Sequence, residues 1–559
     1  MVMSWLLPAH FPPWQTAHQE FLAAIAVLVA FFSFIYGNSK AAAKKTDLFV
    51  IAVAVIPLAQ YASGVIQYAG DMLQSLAYIL LFGIALFVGR NSNKVQDFDV
   101  LKLVSLTFLA GGVFSVFIAA AQWLGWAKSV DVAWLTPLEG GSRPYANIGQ
   151  PNNLATILGF SVASLLYLFE KNIVNRLCAG IVAIIIIFGL ALTQSRTTWV
   201  VAAVLPFSWY LLSRNVRLYT KTRHVLLWVL VYVGFVLVLP WLGEFGSAQV
   251  EPLLERARQT HRMEMYSQAV YFITHGPWYG FGWGQIESAH SALADKAPQP
   301  IFYHYSHNII LDLLLWNGPW LGSLLVLLML LWFGRAFFRI STNAGFAAWI
   351  GFLFFITHSF FEYPHAYLYI LLPAGFLLGV VEGDGAKKEE GVVVSKPLLA
   401  MVFLLGMVFV VFLWQGYARI EADYRAALNN EKNVSADMGL VSSAFYSNFI
   451  KYMEFVNLPV GRNYSAPLLN EIELFAARYP RRFVFIKTAY IFSINNNNDK
   501  SLYYLNRLKS IYGVDGLEEG LSVFHNESRA NPELLAVLEN FGLKRCSNPV
   551  ADGCPPGAE

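Results

Sequence analysis

The strongest constraint on this chain is a succession of apolar runs of roughly 18–22 residues, each able to cross a ~30 Å hydrocarbon core as an α-helix. Twelve such runs fall at about 19–36, 47–65, 71–89, 99–124, 153–170, 177–193, 197–213, 224–243, 309–334, 344–361, 366–382 and 397–416. Only 13% of the 559 residues are charged and 56% are hydrophobic. A soluble domain carries about 25% charged residues, so a solvated surface cannot be built over this length. The expected fold is therefore an all-α polytopic membrane protein with about 12 transmembrane helices. A net charge of +3 offers no basic surface for nucleic acid. Met1–His18 contains no Lys or Arg, so the first run is expected to stay as a span rather than be cleaved as a signal peptide.

The connections alternate in basic content. One set holds sixteen Lys and Arg residues, among them Lys44, Arg90, Arg176, Arg214, Arg335 and Lys396. The opposite set, over the N-terminus and short loops, holds Lys128, Arg143 and Arg196. By the positive-inside rule the first set faces the cytoplasm. Both termini, the 125–152 loop, the long 244–308 loop and the turn at Glu362 are then expected outside. The chain is expected to divide into a membrane domain, 1–416, and a tail, 417–559, of ordinary polarity. Amphipathic stretches at Leu468–Ala477, Ser501–Tyr512 and Pro532–Phe541, broken at Tyr479-Pro480, Asn495–Asn498 and Asn531-Pro532, suggest a small helical domain. Cys546 and Cys554 could form a disulfide there if the tail lies outside the cytosol, and no Cys/His spacing suggests zinc.

Polar residues that spans do not require gather on the outer side. Gln150, Asn152 and Asn153 stand at the mouth of a span, where amides and free backbone N–H groups suit sugar hydroxyls or phosphate. A turn with an N-cap would need only one of them. Arg196, in Gln194-Ser195-Arg196-Thr197-Thr198, has almost no loop around it. A charge near the bilayer core costs up to ~3 kcal/mol. Snorkelling would explain the charge, whereas its polar neighbours suit an anion. In the long loop Arg258 and Arg262 are i,i+4 and share a helical face, a pair suited to a diphosphate through forked hydrogen bonds. Gly280, Gly282 and Gly284 permit close backbone approach, either to a ligand or merely within a turn.

Tyr303-His304-Tyr305-Ser306-His307-Asn308 directly precedes a span, and His307 is a candidate general base for an acceptor hydroxyl. His304 and Tyr305 border it, as interfacial belt residues or as substrate contacts. His358 and Glu362 follow in the last outer turn, where the carboxylate could orient a histidine or bind a sugar. His10 and Glu20 form a weaker set on the same side. Asp97-Phe98-Asp99 lies on the cytoplasmic side and reads as a helix start rather than a cation site. Nothing requires a metal or cofactor, because arginines can supply the counter-charge for a departing diphosphate.

The order of Gln150-Pro151-Asn152-Asn153, Ser195-Arg196, Arg262 ahead of Gly280–Gly284, His307-Asn308, and His358 with Glu362 resembles the O-antigen ligase/polymerase superfamily. Within it the chain is most similar to the bacterial protein O-oligosaccharyltransferases, or pilin glycosylation ligases. The resemblance implies an inner-membrane enzyme with its active site and C-terminal domain in the periplasm. It also implies transfer of a glycan en bloc, without a metal, from undecaprenyl diphosphate to Ser or Thr hydroxyls of a periplasmic protein such as a pilin. By position, Arg196 and Arg262 would hold the diphosphate and His307 would activate the acceptor. Gln150 and Asn152 fit the segment that distinguishes protein ligases, and His10 and Glu20 fit the outer N-terminal segment; Arg258 and His304 have no counterpart. The same chemistry with another acceptor, as in an O-antigen ligase acting on lipid A-core or a polymerase, stays open. A transporter or flippase of the lipid-linked glycan would place more charge within the spans than this chain does.

Overall fold

The computed structural model describes residues 1–37, 41–95, 99–126, 134–138, 142–242, 261–297, 299–384, 391–428 and 439–543. Each of the twelve apolar runs overlaps a helix. After a short α1 (Val2–Leu6) come α2 (Ala17–Tyr36), α3 (Lys45–Ala62), α4 (Ala69–Asn91), α5 (Val100–Trp123), α6 (Pro151–Glu170), α7 (Arg176–Leu192), α8 (Arg196–Leu212) and α9 (Thr222–Leu242). The long connection after α9 contributes α10 (His261–His275) and α11 (Ile286–Leu293). Then follow α12 (Ile309–Phe338), α13 (Asn343–Ser359), α14 (Leu368–Gly383) and α15 (Lys396–Leu428). Among the described residues eight helices are long and apolar enough to cross a membrane, with α7 and α14 as shorter apolar helices. The chain is an all-α polytopic membrane protein.

The loops of the basic set are tied to one another at one end of the bundle. Ala42–Ala43 and Val392–Val393 form a two-residue antiparallel pair. Arg90 is bonded to Asp47 and, at 2.8 Å, to Glu382 Oε2. Asp384 accepts from the backbone N–H groups of Ser341 and Thr342, both at 2.9 Å. Glu170 accepts from those of Tyr219 and Thr220 at 2.8 and 2.9 Å. Helix α4 carries Arg90 at this end and Asp71 at the other, roughly 30 Å away at 1.5 Å per residue. The alternation of charge along the sequence is thus a physical partition of the bundle into two faces.

Helix α6 runs through the centre, buried on most of its faces between α5 and α13, as an all-round apolar helix must be. It starts abruptly because Pro151 occupies the first helical position and the Gln150 side chain accepts from the Asn153 N–H at 3.2 Å. Helices α4 and α14 touch backbone to backbone. A Cβ on Gly89 would lie 1.9 Å from the Phe376 carbonyl oxygen, so only a small residue permits the contact.

Helix α12 is broken at Gly318, which takes φ 74° and ψ 170°. The segment after α10 fills the break: Phe281 N–H donates to Leu315 O at 2.9 Å and Gly282 N–H to Trp316 O at 3.1 Å. A Cβ on Gly318 would lie 1.9 Å from Trp278 O. At Gly280, where a Cβ would lie 2.4 Å from Gly318 N, the close approach is therefore to the protein's own backbone, whereas at Gly284 a Cβ would meet nothing within 4 Å.

Helix α15 continues past the predicted division at 416. Tyr417 and Ile420 stay buried, and the Tyr417 hydroxyl donates to Trp14 O at 3.1 Å. Beyond it come α16 (Gly439–Phe445), α17 (Ser447–Asn457), α18 (Ala466–Arg478), α19 (Arg482–Ile494), α20 (Asn498–Glu527) and α21 (Glu533–Glu539). The last four share a hydrophobic core of their own, including Phe475, Phe485, Phe492, Leu505 and Phe524. Helices α18, α20 and α21 meet the predicted amphipathic stretches. Helix α19 is buried on most faces and carries no visible polar stripe, so periodicity could not reveal it. Cys546 and Cys554 lie outside the described residues.

Candidate active site

The start of α10, the stretch just before α12 and the mouth of α6 converge on Glu362, in the turn after α13. Its Oε2 accepts from His307 Nδ1 at 2.7 Å. Its Oε1 is bonded to Arg262, from the start of α10, and accepts from Asn152 Nδ2 at 3.2 Å. Burial alone would raise the Glu362 carboxyl. The His307 hydrogen bond and the charges of His307 and Arg262 override it and hold the group below the usual carboxylate range. The carboxylate is therefore ionised at neutral pH.

His307 stands in the left-handed region, with φ 57°. Such a conformation costs about 1–3 kcal/mol and persists only where the surroundings fix it. The Tyr266 hydroxyl bridges the carbonyls of His307 and Phe360 at 3.3 Å each, and the His307 ring meets Tyr363 edge-on at 4.9 Å. Asn308 caps α12 through the N–H of Ile310 at 3.0 Å. With Nδ1–H directed at the carboxylate, the neutral form of the imidazole carries its lone pair on Nε2, which has no hydrogen-bond partner among the described residues. A carboxylate holding an imidazole in this tautomer is the arrangement of an oriented general base.

His358 lies one turn before Glu362, whose N–H donates to His358 O at 2.8 Å. Its Nδ1 shares a hydrogen bond with Thr156 Oγ1 at 2.7 Å, and its Nε2 is buried with no partner among the described residues. Tyr305 stacks on Tyr363 at 4.8 Å. The structure therefore gathers Arg262, His307, Glu362, Asn152 and His358, with Tyr305 alongside.

Other predicted residues fall elsewhere. Gln150 and Asn153 line a separate polar cavity of about 610 Å³ with His10, Arg143, Tyr145 and Tyr367. There Asn153 Nδ2 donates to Tyr369 Oη at 3.1 Å, and His10 Nε2 meets Asn147 O at 2.9 Å. Glu20 is buried and accepts from Leu368 N–H at 2.5 Å, so it caps the start of α14. Arg196 opens α8 directly after a turn whose Thr193 and Gln194 carbonyls accept from Arg143 Nη1, both at 3.3 Å. His304 pairs with Glu287 of α11 rather than with the Glu362 cluster. Arg258 lies outside the described residues. Among the described residues no group of three or more His, Cys, Asp or Glu side chains is placed to hold a metal ion.

Sequence reasoning missed several supports. Tyr266 was legible, since it lies four residues after Arg262 on one helical face. Asp312, which accepts from Ser306 N–H at 2.8 Å and Ser306 Oγ at 2.6 Å, shows in sequence only as a charge near a span end. Thr156 and Arg143 gave no distinguishing signal.

Three family comparisons match in chain order: "Protein glycosylation ligase" over residues 144–169, "O-Antigen ligase" over 181–327, and "Virulence factor membrane-bound polymerase, C-terminal" over 346–519. Asn152 falls in the first, Arg262 and His307 in the second, and His358 and Glu362 in the third. A general O-oligosaccharyltransferase of Acinetobacter baylyi is 27% identical over 531 residues, covering 92% of each chain. A ComP-specific O-oligosaccharyltransferase of the same organism is 27% identical over 378 residues, 67% of this chain and 68% of that one. The chain is a membrane glycosyltransferase that is similar to the O-antigen ligases. Its similarity over 92% of its length is to an O-oligosaccharyltransferase.

Proposed function

We propose that this protein is an inner-membrane protein O-oligosaccharyltransferase, with twelve crossing helices and its site and tail in the periplasm. It takes a glycan en bloc from undecaprenyl diphosphate and delivers it to a Ser or Thr hydroxyl of a periplasmic protein such as a pilin. His307 Nε2 accepts the hydroxyl proton as the oxygen attacks the anomeric carbon. The bond from that carbon to the phosphate oxygen breaks, and the diphosphate leaves on the lipid. Arg262 balances its developing charge at the Glu362 cluster, and Arg196, which opens α8 outside that cluster, is assigned to the lipid-linked diphosphate by the family resemblance alone; arginines in these roles would make a metal unnecessary.

The observation that carries this reading is the Glu362 carboxylate holding both His307 and Arg262. In this reading one carboxylate holds both the base and the phosphate-binding cation. The names of the two Acinetobacter relatives favour a protein acceptor over lipid A-core. The test is co-expression in a bacterium that makes an undecaprenyl-linked glycan, lacks its own ligase and carries a periplasmic pilin. Glycan on the pilin by intact mass supports the reading. Glycan only on lipid A-core would keep the chemistry and change the acceptor.

A further inference from the structure

Beyond the Glu362 cluster, the densest set of buried charges joins the C-terminal helices to the outer loop. Arg478, the last residue of α18, donates Nη1 to Glu287 Oε2 and Nε to Asp71 Oδ2, both at 2.9 Å. Arg481 Nη2 donates to Glu287 Oε1 at 3.0 Å. Asn448 Nδ2 also donates to Asp71, at 3.2 Å. Glu287 Oε1 is bonded in addition to His304. One carboxylate thus connects two arginines of the tail to the loop that carries His307. Burial alone would raise Glu287, and the His304 hydrogen bond with the charges of Arg478 and Arg481 instead holds it at about 2.

His304 lies three residues before His307, and the residues between are clamped. Tyr305 is stacked on Tyr363, and Ser306 is bonded to Asp312 through both N–H and Oγ. No slack remains to absorb a displacement at His304. His307 itself holds a positive φ, which depends on its flanks.

We propose that Glu287 is a positioning residue for transfer: through His304 it lets Arg478 and Arg481 of the C-terminal helices set the place of His307. Docking of the tail is then a condition of turnover rather than an accessory. The proposal rests on the reading of His307 as the base.

The test uses the full chain in lipid nanodiscs with an undecaprenyl-diphosphate oligosaccharide and a periplasmic acceptor protein. Glu287→Gln keeps the side-chain shape and removes the charge. Asp295→Asn is the control, because Asp295 pairs with Arg507 at 3.2 Å across the same contact but has no link to His304. Since a 1 Å misplacement can cost about 10²-fold, Glu287→Gln is expected to lower kcat at least about tenfold, with both KM values within about twofold. Asp295→Asn is expected to leave kcat unchanged, whereas a purely mechanical role would make the two variants alike. If Glu287→Gln does not fold, His304→Gln, which alters only the loop side, is expected to show the same loss. A folded Glu287→Gln or His304→Gln with wild-type kcat, equal losses in the control, or a change confined to KM would overturn the proposal. If the wild-type protein transfers nothing, the reading of the site fails first.

Discussion

Replacing Glu362 by glutamine keeps the shape of the side chain and removes its charge. In the native site its two oxygens serve three partners, His307, Arg262 and Asn152. A glutamine offers one carbonyl oxygen and an NH₂ group that only donates. If the oxygen faces Arg262 and Asn152, the NH₂ meets His307 Nδ1, and the imidazole must move its proton to Nε2. No lone pair is then left for the acceptor. If the oxygen faces His307, the NH₂ opposes two donors and Arg262 loses its anchor. A positioned general base contributes about 10²–10⁴-fold, so kcat should fall by about 10²–10³-fold, or ~3–4 kcal/mol in the barrier. The pairing also stabilises the fold, with a definite pH dependence. Because the folded carboxyl is held below its ordinary value of 4.5, that contribution is fully present above 4.5 and lost as pH falls through the lowered value. The melting temperatures of wild type and Glu362→Gln should therefore differ at pH 7 and converge in acid. Initial rates at saturating donor and acceptor, followed by intact mass of the acceptor, measure the effect. A Gln variant with kcat within about threefold of wild type, far short of the general-base contribution, would refute the orienting role.

Other expectations concern residues outside the Glu362 cluster. Arg196→Lys should abolish transfer while the protein still inserts, because an ammonium cannot reproduce the guanidinium fork; near-normal rates in the acceptor assay would make Arg196 an interfacial anchor. Gly318→Ala should destabilise by ~1–3 kcal/mol from its backbone conformation alone, and more from the overlap with Trp278 O. Size-exclusion and thermal melting of the purified variant check it, and an unchanged melting temperature would contradict the interlock. His290 is buried, and its imidazole is pushed down from 6.5 to about 3. Its contribution is thus present above 6.5 and lost as pH falls below it. Between pH 7.5 and 5 the loss should approach ~2 kcal/mol. His290→Gln should flatten that dependence in detergent melts, and an unchanged slope would assign it to other groups.

Helices were legible at all twelve apolar runs, of which eight are long and apolar enough to cross a membrane among the described residues, and the alternation of Lys and Arg marked loops that meet. The end of α15 was not legible, because the apolar run stops near Gln415 while the helix continues to Leu428, with Tyr417 bonded to Trp14. Residue types at the site were also legible: an arginine, a histidine, a carboxylate and amides on one face. Their pairing was not, since Arg262 lies 100 residues from Glu362 and His307 lies 55 residues from it. No local rule links residues so far apart. His304 and His307 look alike in sequence, three residues apart in one short loop. They differ because one meets a carboxylate of α11 and the other a carboxylate after α13. Arg478 directly follows the amphipathic stretch Leu468–Ala477, and only the docked tail reveals that it serves Asp71 and Glu287.

The central claim is that His307 is the base that activates the acceptor. Single-turnover transfer by purified wild type and His307→Ala, with binding of the lipid-linked donor measured in parallel, tests it most directly. The predicted result is donor binding within a fewfold of wild type and transfer lost by at least about 10²-fold. Transfer at a rate close to wild type by a variant that binds donor normally would contradict it and remove His307 from the chemistry.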